Sequence, residues 1–232
     1  PAASQARVSR PRPLCPLSEP SIATKVLIGL NILVFFWQVS GGGASMEASV
    51  LGYGFIPALF FADPWGEGYR LLTAMFLHGG LLHVLSNMWF LWVFGPTLEG
   101  RIGSVRFLIL YLVTGVGATL VHGFSVMETF IPMVGASGAV SGVLGAYIVL
   151  YSRAYVLTMI WLILPLFFWV PAGIYLGYWA LIQVLQGLAG TPGTAWWAHV
   201  GGFVLGVVLI RFLVDRRPYR SEPWWEPGTG YR

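Results

Sequence analysis

Two polar residues within apolar parts of the chain have the types needed for nucleophilic catalysis. Ser137 lies in a glycine-rich stretch at the start of one apolar segment, and His199 lies near the start of another. Polar side chains are costly inside apolar membrane segments, so each is a candidate functional residue. A serine becomes an effective nucleophile when a neighbouring base accepts its proton. The pair therefore predicts acyl-transfer chemistry, such as peptide hydrolysis.

Each of the two residues also has a purely structural interpretation. A serine at a helix start is often an N-cap, and a histidine in a packing seam can simply bond a carbonyl group. The length of the segment favours chemistry for Ser137. A helix from Ser137 to Arg153 would be about 24 Å long, against about 30 Å for the hydrocarbon core. Ser137 would then start below the outer surface, beside irregular backbone that is tolerated only where it lines a cavity.

Glycines explain how the serine and the histidine could meet. Gly138 and Gly142 are four residues apart, and so are Gly202 and Gly206. Small residues at this spacing allow helix backbones to approach closely. We therefore expect Gly135, Gly138, Gly202 and Gly206 to serve helix packing near the site.

His83 and Asn87 are a second polar pair, and their spacing of four places them on one helix face. Three interpretations are open: half of a metal site, a helix–helix hydrogen bond, or an oxyanion hole made of two neutral donors. A metal is disfavoured because no glutamate lies nearby on that face and asparagine is a poor zinc ligand. We expect no metal and no other cofactor. His78, five residues earlier, is expected to be structural.

The composition predicts that this chemistry takes place in a membrane. The chain is 56% hydrophobic and 9% charged, and its mean hydropathy is +0.74. Soluble domains carry about 25% charged residues, so this chain could not cover a water-soluble fold of its size. The net charge of +4 needs no nucleic acid to explain it, because the anionic headgroups of a lipid bilayer are adequate partners.

Six apolar stretches are long enough, or nearly so, to cross a bilayer: Ile22–Val39, 71–94, 105–121, Ser137–Tyr151, 171–188 and 196–214. Segment 155–170, which Pro165 interrupts, is either an interfacial or re-entrant connection or a seventh span. Six spans with cytoplasmic termini place all 13 basic residues except Arg70 inside, as the positive-inside rule requires. A seventh span would move the basic C-terminal cluster outside. The sequence predicts an all-α polytopic membrane protein, a six-transmembrane-helix bundle with both termini cytoplasmic.

Three regions follow from this topology. Residues 1–20 form a polar cytoplasmic tail, 21–215 the membrane domain and 216–232 a second cytoplasmic tail. The aromatic loop 40–70 is expected to lie on the membrane surface. The first 20 residues are polar and proline-rich and do not resemble a cleavable signal peptide. Together with the charge asymmetry, this favours a bacterial plasma membrane over an organelle. The sequence predicts no particular oligomeric state.

Taken together, these segments resemble the rhomboid family of intramembrane serine proteases. Residues 135–138, Gly-Ala-Ser-Gly, match the family's GxSG motif, and His83 with Asn87 matches its HxxxN motif. Ala198 and His199, followed by two spaced glycines, match its AHxxGxxxG motif. The resemblance covers residues 20 to 215 in the family's order. Further matches lie in the first loop and at the inner end of the second span: Tyr69, Arg70, Phe76, Leu77, His78, Gly95, Glu99 and Gly103.

The resemblance implies a serine–histidine dyad without an aspartate, in which Ser137 is the nucleophile and His199 the general base and acid. It implies an oxyanion hole formed by His83, Asn87 and the backbone N–H of Ser137. It also implies single-span membrane protein substrates, cleaved near the outer end of their helix. In some members a tyrosine four residues after the nucleophile stacks on the histidine, whereas this chain has Ser141. Another group must hold the histidine here, either Ser141 itself or a neighbouring aromatic residue.

Two other functions remain as alternatives to a protease. A non-proteolytic relative would bind or remodel membrane proteins through the same fold. Its usual signature is loss of the serine or the histidine, and both are present here. A transporter or channel is suggested only by the polar residues in the spans. The absence of inverted repeats and of acidic residues within the spans disfavours it.

Overall fold

The computed structural model describes residues 21–161 and 165–214. Ten helices and one two-stranded sheet follow one another in these residues. In chain order they are α1 (Ile22–Val39), α2 (Gly42–Tyr53), α3 (Pro57–Ala62), α4 (Pro64–Glu67), α5 (Arg70–Thr73), α6 (Leu81–Ile102), α7 (Ser104–Ser125), α8 (Ser137–Tyr151), β1 (Tyr155–Trp161), β2 (Pro165–Pro171), α9 (Ala172–Leu188) and α10 (Trp196–Leu213).

Six of the described helices, α1 and α6 to α10, have 15 or more residues and correspond to the six predicted apolar stretches. Four of them, α1, α6, α7 and α10, are long and apolar enough to cross a membrane, whereas α8 is apolar but shorter. The protein is therefore an integral membrane protein. The predicted bounds of α1 and α8 are confirmed, those of α9 and α10 agree within one residue, and α7 continues four residues further than predicted.

The prediction for the second long helix was wrong by several residues at each end. It was placed at 71–94, whereas α6 runs from Leu81 to Ile102. Residues 71–77 are apolar, but they belong to α5 and to the connection ahead of Gly79 and Gly80. At the other end, a proline and charged residues suggested the end of a span, yet Pro96 lies inside the helix. Hydrophobicity alone therefore shifted the helix towards its N-terminal side.

A buried carboxylate joins three of the long helices. The Glu99 side chain on α6 accepts hydrogen bonds from the backbone N–H groups of Ala23 and Thr24, both at 2.8 Å. It also accepts from the hydroxyls of Thr24, at 2.7 Å, and Ser104, at 2.6 Å. The first N–H groups of a helix have no intrahelical partner and favour a nearby negative charge. Glu99 therefore caps α1 from a neighbouring helix and ties it to α6 and α7.

The closest helix contact lies between α8 and α10, because glycines face each other there. A Cβ atom built on Gly206 would lie 1.9 Å from the carbonyl oxygen of Gly142, and one on Gly202 would lie 2.1 Å from that of Gly138. On the next turn, a Cβ on Gly145 would lie 2.0 Å from a backbone oxygen of α10. Any side chain would collide with backbone, so the two helices touch backbone to backbone.

The segment between α1 and α6 folds into four short helices, α2 to α5. Arg70 is buried, forms an ion pair with Glu67 and donates to the carbonyl oxygens of Leu51 and Gly54, both at 2.8 Å. A short antiparallel bridge pairs residue 55 with residue 133, which lies just ahead of α8. The first connection therefore holds the backbone that leads into Ser137. Its predicted place on the membrane surface stays a prediction.

Tyr155–Trp161 and Pro165–Pro171 are paired antiparallel strands, referred to below as the hairpin, and not parts of a seventh helix. The strands pair from Tyr155 opposite Pro171 to Trp161 opposite Pro165, and the N–H of Ala172 donates to the carbonyl of Ala154 at 2.7 Å. Strands of seven residues reach only about 23 Å. Open sheet edges do not occur in contact with hydrocarbon. The segment is therefore a connection between α8 and α9, which agrees with six spans better than with seven.

One face of the hairpin is apolar and exposed. Leu157 lies opposite Trp169 and Met159 opposite Phe167, and all four are more than half exposed. No Asp, Glu, Lys or Arg occurs between residues 154 and 210, so nothing on the hairpin favours water strongly. We predict that this face lies in the bilayer interface, where lipid covers the side chains and water reaches the strand edges.

This location can be checked with a single fluorescent label, because Cys15 is the only cysteine. In a Cys15→Ser background, a polarity-sensitive dye on Leu157→Cys should be quenched by lipids brominated near the headgroup. Leu33→Cys, exposed on α1, is the matched control and should respond to lipids brominated deeper in the acyl chains. Quenching of the hairpin label by aqueous iodide alone would contradict the prediction.

The close packing of α8 and α10 predicts that one added methyl group destabilises the protein at this contact but not at an open position of another helix. Gly206→Ala should lower the stability in detergent by about 1–3 kcal/mol, because the new carbon overlaps backbone that cannot rotate away. Gly29→Ala is the control, since a Cβ at that position of α1 meets nothing within 4 Å. Thermal unfolding of the two variants and the wild type measures the difference. Equal unfolding temperatures for the two variants would contradict the prediction, because the close contact would then contribute nothing to stability.

Candidate active site

Ser137 and His199 are brought into direct contact at the N-terminal ends of α8 and α10. The Ser137 Oγ lies 2.8 Å from the His199 Nε2, although the residues are 62 positions apart in sequence. The close glycine contact between the two helices places them there. The N-cap position of α8 is Ala136, so Ser137 is the first helical residue and its hydroxyl faces the histidine.

The backbone entering α8 has a conformation that requires glycine. Gly135 has a φ of +133°, in a region that L side chains rarely adopt. A Cβ there would also lie 2.8 Å from the ring of His83. The N–H of Gly135 donates to the carbonyl oxygen of Ala74 at 2.9 Å. The residue therefore lets the chain pass His83 closely and fixes Ser137 beside it.

His199 is held from α9. Its Nδ1 lies 2.8 Å from the Oε1 of Gln183. The ring centroid of Trp179, one turn earlier on α9, is 6.0 Å from that of the histidine, at 32° between planes. Trp196 approaches edge-on at 6.2 Å. The imidazole therefore has a hydrogen-bond partner at each nitrogen, Gln183 and Ser137, and two aromatic rings beside it.

The two sequence-based candidates for holding His199 have different outcomes. Ser141 is engaged elsewhere, because its hydroxyl donates to the carbonyl oxygen of Ser137 at 2.6 Å. That suggestion was wrong, since a serine side chain on a helix reaches the carbonyl one turn back more easily than a neighbouring helix. The suggestion of an aromatic neighbour fits Trp179. Gln183 was missed, although a glutamine within an apolar helix is the kind of signal that identified the other polar residues.

His83 and Asn87 lie on the same cavity as Ser137 and His199, a space of about 1290 Å³. The N–H of Gly79 donates to the His83 Nδ1 at 3.3 Å, so the other ring nitrogen, Nε2, carries the proton. Asn87 donates to the carbonyl oxygen of His83 at 3.0 Å, within its own helix, and has a second N–H to offer. Both side chains are therefore equipped as donors towards the cavity.

Metal ligation has no support from the described residues. Within 21–161 and 165–214, no group of three or more His, Cys, Asp or Glu side chains is arranged to hold a metal ion. His78 and His83 do approach each other, with ring centroids 5.1 Å apart at 75°. That edge-to-face geometry is typical of ring packing.

His78 is fully buried beside the site. Its backbone is fixed by Gln38, whose side-chain oxygen accepts from the His78 N–H at 2.9 Å and whose amide donates to the His78 carbonyl at 3.3 Å. Neither ring nitrogen has a hydrogen-bond partner within 21–161 and 165–214. Burial, with a smaller contribution from His83, lowers the pKa of His78 to about 4. The ring is therefore neutral at physiological pH.

The described residues thus form a helical membrane protein in which a serine and a histidine from two helices meet beside a large cavity. The model of the Rhomboid domain matches residues 65–216, which is more than half of the chain. The chain therefore belongs to the rhomboid family.

Several named relatives agree with this membership. The chain is 34% identical to RHOMBOID-like protein 4 of Arabidopsis thaliana over 160 residues, 66% of this chain and 36% of the relative. It is 36% identical to Rhomboid protease GluP of Bacillus subtilis over 132 residues, 56% and 25% of the two chains. Rhomboid-like protein 11, chloroplastic, of Arabidopsis thaliana is 31% identical over 213 residues, 84% and 66%. The matched region thus spans about a third or less of the first two relatives.

The burial of His78 predicts a loss of stability in mild acid. The unfolded chain binds a proton at the ordinary histidine pKa of 6.5, whereas the folded protein resists it until the pKa of about 4. Between these two pH values the unfolded state binds more protons than the folded state. The contribution of His78 to stability is therefore fully present above pH 6.5 and is lost as the pH drops towards 4. The shift corresponds to about 3 kcal/mol as an upper bound.

Thermal unfolding in detergent between pH 4 and 7 measures this contribution. His78→Phe, which keeps an aromatic ring in the space, should show a shallower loss of stability than the wild type over that range. Identical pH slopes for the two proteins would mean that another group is responsible.

Proposed function

We propose that the protein is an intramembrane serine endopeptidase that cleaves transmembrane segments of other membrane proteins. The observation that carries the proposal is the 2.8 Å contact between the Ser137 Oγ and the His199 Nε2. This is the hydrogen-bond distance that a general base needs to the proton it removes. The contact opens on a cavity of about 1290 Å³, which has room for an unwound peptide and for water.

The chemistry follows from these two atoms. The Ser137 Oγ attacks the carbonyl carbon of the scissile peptide bond while its proton passes to the His199 Nε2. The tetrahedral intermediate collapses, the C–N bond breaks, and the same proton is given to the leaving amine. A water molecule then attacks the acyl-enzyme, transfers a proton to His199 and releases the acid product, and the proton returns to Ser137.

The negative charge on the tetrahedral intermediate needs donors that are already in place. We assign them to the His83 Nε2–H, the free N–H of the Asn87 amide and the backbone N–H of Ser137. The Ser137 N–H is among the first of α8, so the helix leaves it without an intrahelical acceptor. The bond from Gly79 to the His83 Nδ1 supports the donor role of the opposite ring nitrogen.

The proposal includes a topology and a substrate class. Six spans with both termini in the cytoplasm would put Ser137 on the outer side and the basic residues near the helix ends on the inner side. Single-span proteins would be cut near the outer end of their helix, where the backbone can unwind into the cavity. The charge asymmetry supports a bacterial plasma membrane as the location.

A fluorophosphonate probe, which reacts with activated serines, tests the dyad directly in detergent or liposomes. Ser137→Ala should abolish labelling, because the nucleophile is gone. His199→Ala should reduce it by about 100-fold or more, the usual scale of general-base catalysis. Ser125→Ala is the matched control, since this exposed serine bonds the carbonyl of His122, and it should label like the wild type. Cleavage of a model single-span substrate should be lost in Ser137→Ala, reduced in His199→Ala and unchanged in Ser125→Ala.

Labelling that survives loss of Ser137 would place the reactive serine elsewhere and refute the assignment. A folded wild type that neither labels nor cleaves, yet captures a membrane protein as well as Ser137→Ala does, would instead identify a non-proteolytic rhomboid that binds its clients.

A further inference from the structure

Both ends of the Gln183 amide are used, although the residue lies in an apolar helix. The side chain is buried on α9. Its Oε1 lies 2.8 Å from the His199 Nδ1, and its Nε2 donates to the carbonyl oxygen of Trp179, one turn earlier, at 3.1 Å. A buried glutamine with two specific partners has a defined orientation.

The partners determine which way the amide points and where the histidine carries its proton. A backbone carbonyl can only accept, so the NH₂ group of Gln183 must face Trp179. The amide oxygen then faces His199, and an oxygen can only accept. The proton of the neutral imidazole must therefore sit on Nδ1. This leaves a lone pair on Nε2, the nitrogen that contacts Ser137.

We propose that Gln183 is the positioning residue of the Ser137–His199 pair, and that it fixes the imidazole in the tautomer that can accept the serine proton. The inference rests on the proposed function and adds a third residue to the serine–histidine pair. In soluble serine proteases a buried aspartate has this role. An amide offers the same acceptor atom without bringing a charge into an apolar environment, where an unpaired carboxylate is costly.

The same helix also supplies the aromatic surface against the ring. Trp179 both accepts the Gln183 N–H and lies tilted against His199 at 6.0 Å. The orientation of the histidine therefore depends on two residues of α9 spaced by one turn. This accounts for the serine at position 141, because the ring is held from α9 and needs no stacking partner on α8.

The tautomer can be observed without any catalytic activity. The chain contains four histidines, so ¹⁵N-histidine labelling gives four imidazoles, and the signals lost in His199→Ala identify the one of interest. In the wild type, the His199 Nδ1 should be protonated and Nε2 unprotonated. In Gln183→Leu, which removes the acceptor and keeps the volume, Nε2–H should become populated.

The probe reaction measures the consequence for the serine. We expect Gln183→Leu to slow fluorophosphonate labelling by about 10- to 100-fold, because a buried N–H loses its acceptor. Gln183→Glu restores an acceptor oxygen and should recover part of the rate. Gln186→Leu, the same substitution three residues further along α9, is the control. Gln186 accepts from the Thr191 hydroxyl, and its loss should leave the rate unchanged.

The two assays separate this inference from the proposed function. A wild type with His199 protonated on Nδ1 that reacts with no probe would support the positioning role and refute the protease. A reactive wild type whose rate is the same in Gln183→Leu, or whose His199 is protonated on Nε2, would refute the positioning role and leave the protease intact.

Discussion

The structure depends on one steric constraint, the backbone-to-backbone contact of α8 and α10. Gly202 and Gly206 lie so close to the carbonyls of Gly138 and Gly142 that no Cβ would fit between them. In a membrane, helices gain little from burying apolar surface against each other, so close packing must provide the cohesion. The same contact sets the separation of the helix starts, and the 2.8 Å between Ser137 and His199 follows from it.

A second feature is that two buried polar side chains, Glu99 and Gln183, connect different helices. The Glu99 carboxylate receives the first N–H groups of α1, and Gln183 receives the Nδ1–H of His199. Such bonds replace the water that a soluble protein would provide. Some buried polar atoms, among them both ring nitrogens of His78 and the Oδ1 of Asn31, have no hydrogen-bond partner among the described residues. The network connects helices distant in sequence, so the geometry of the site depends on the whole bundle.

The sequence predicted those features that depend on a single local signal. The apolar run of α1, the start of α8 at Ser137 and the glycine spacing were all visible in the chain. The true start of α6 was not, because residues 71–77 are as apolar as a span and only the packing of the first connection removes them from it. The hairpin was missed for a similar reason, since an apolar segment of that length suits a strand or a helix. Gln183 could not be assigned because its role requires knowing that α9 lies against α10.

The neutrality of the Gln183–His199–Ser137 chain has a consequence for an energised membrane. A transmembrane voltage does work only on charge that it displaces, about 2.3 kcal/mol per elementary charge per 100 mV across the full bilayer. None of the three side chains carries a formal charge at rest. A proton that passes from the serine to the histidine moves less than the 2.8 Å between the two heavy atoms, which is itself only about a tenth of the hydrocarbon thickness. The field can change that step by at most about 0.2 kcal/mol per 100 mV, so proton transfer between these two side chains is nearly insensitive to the membrane voltage.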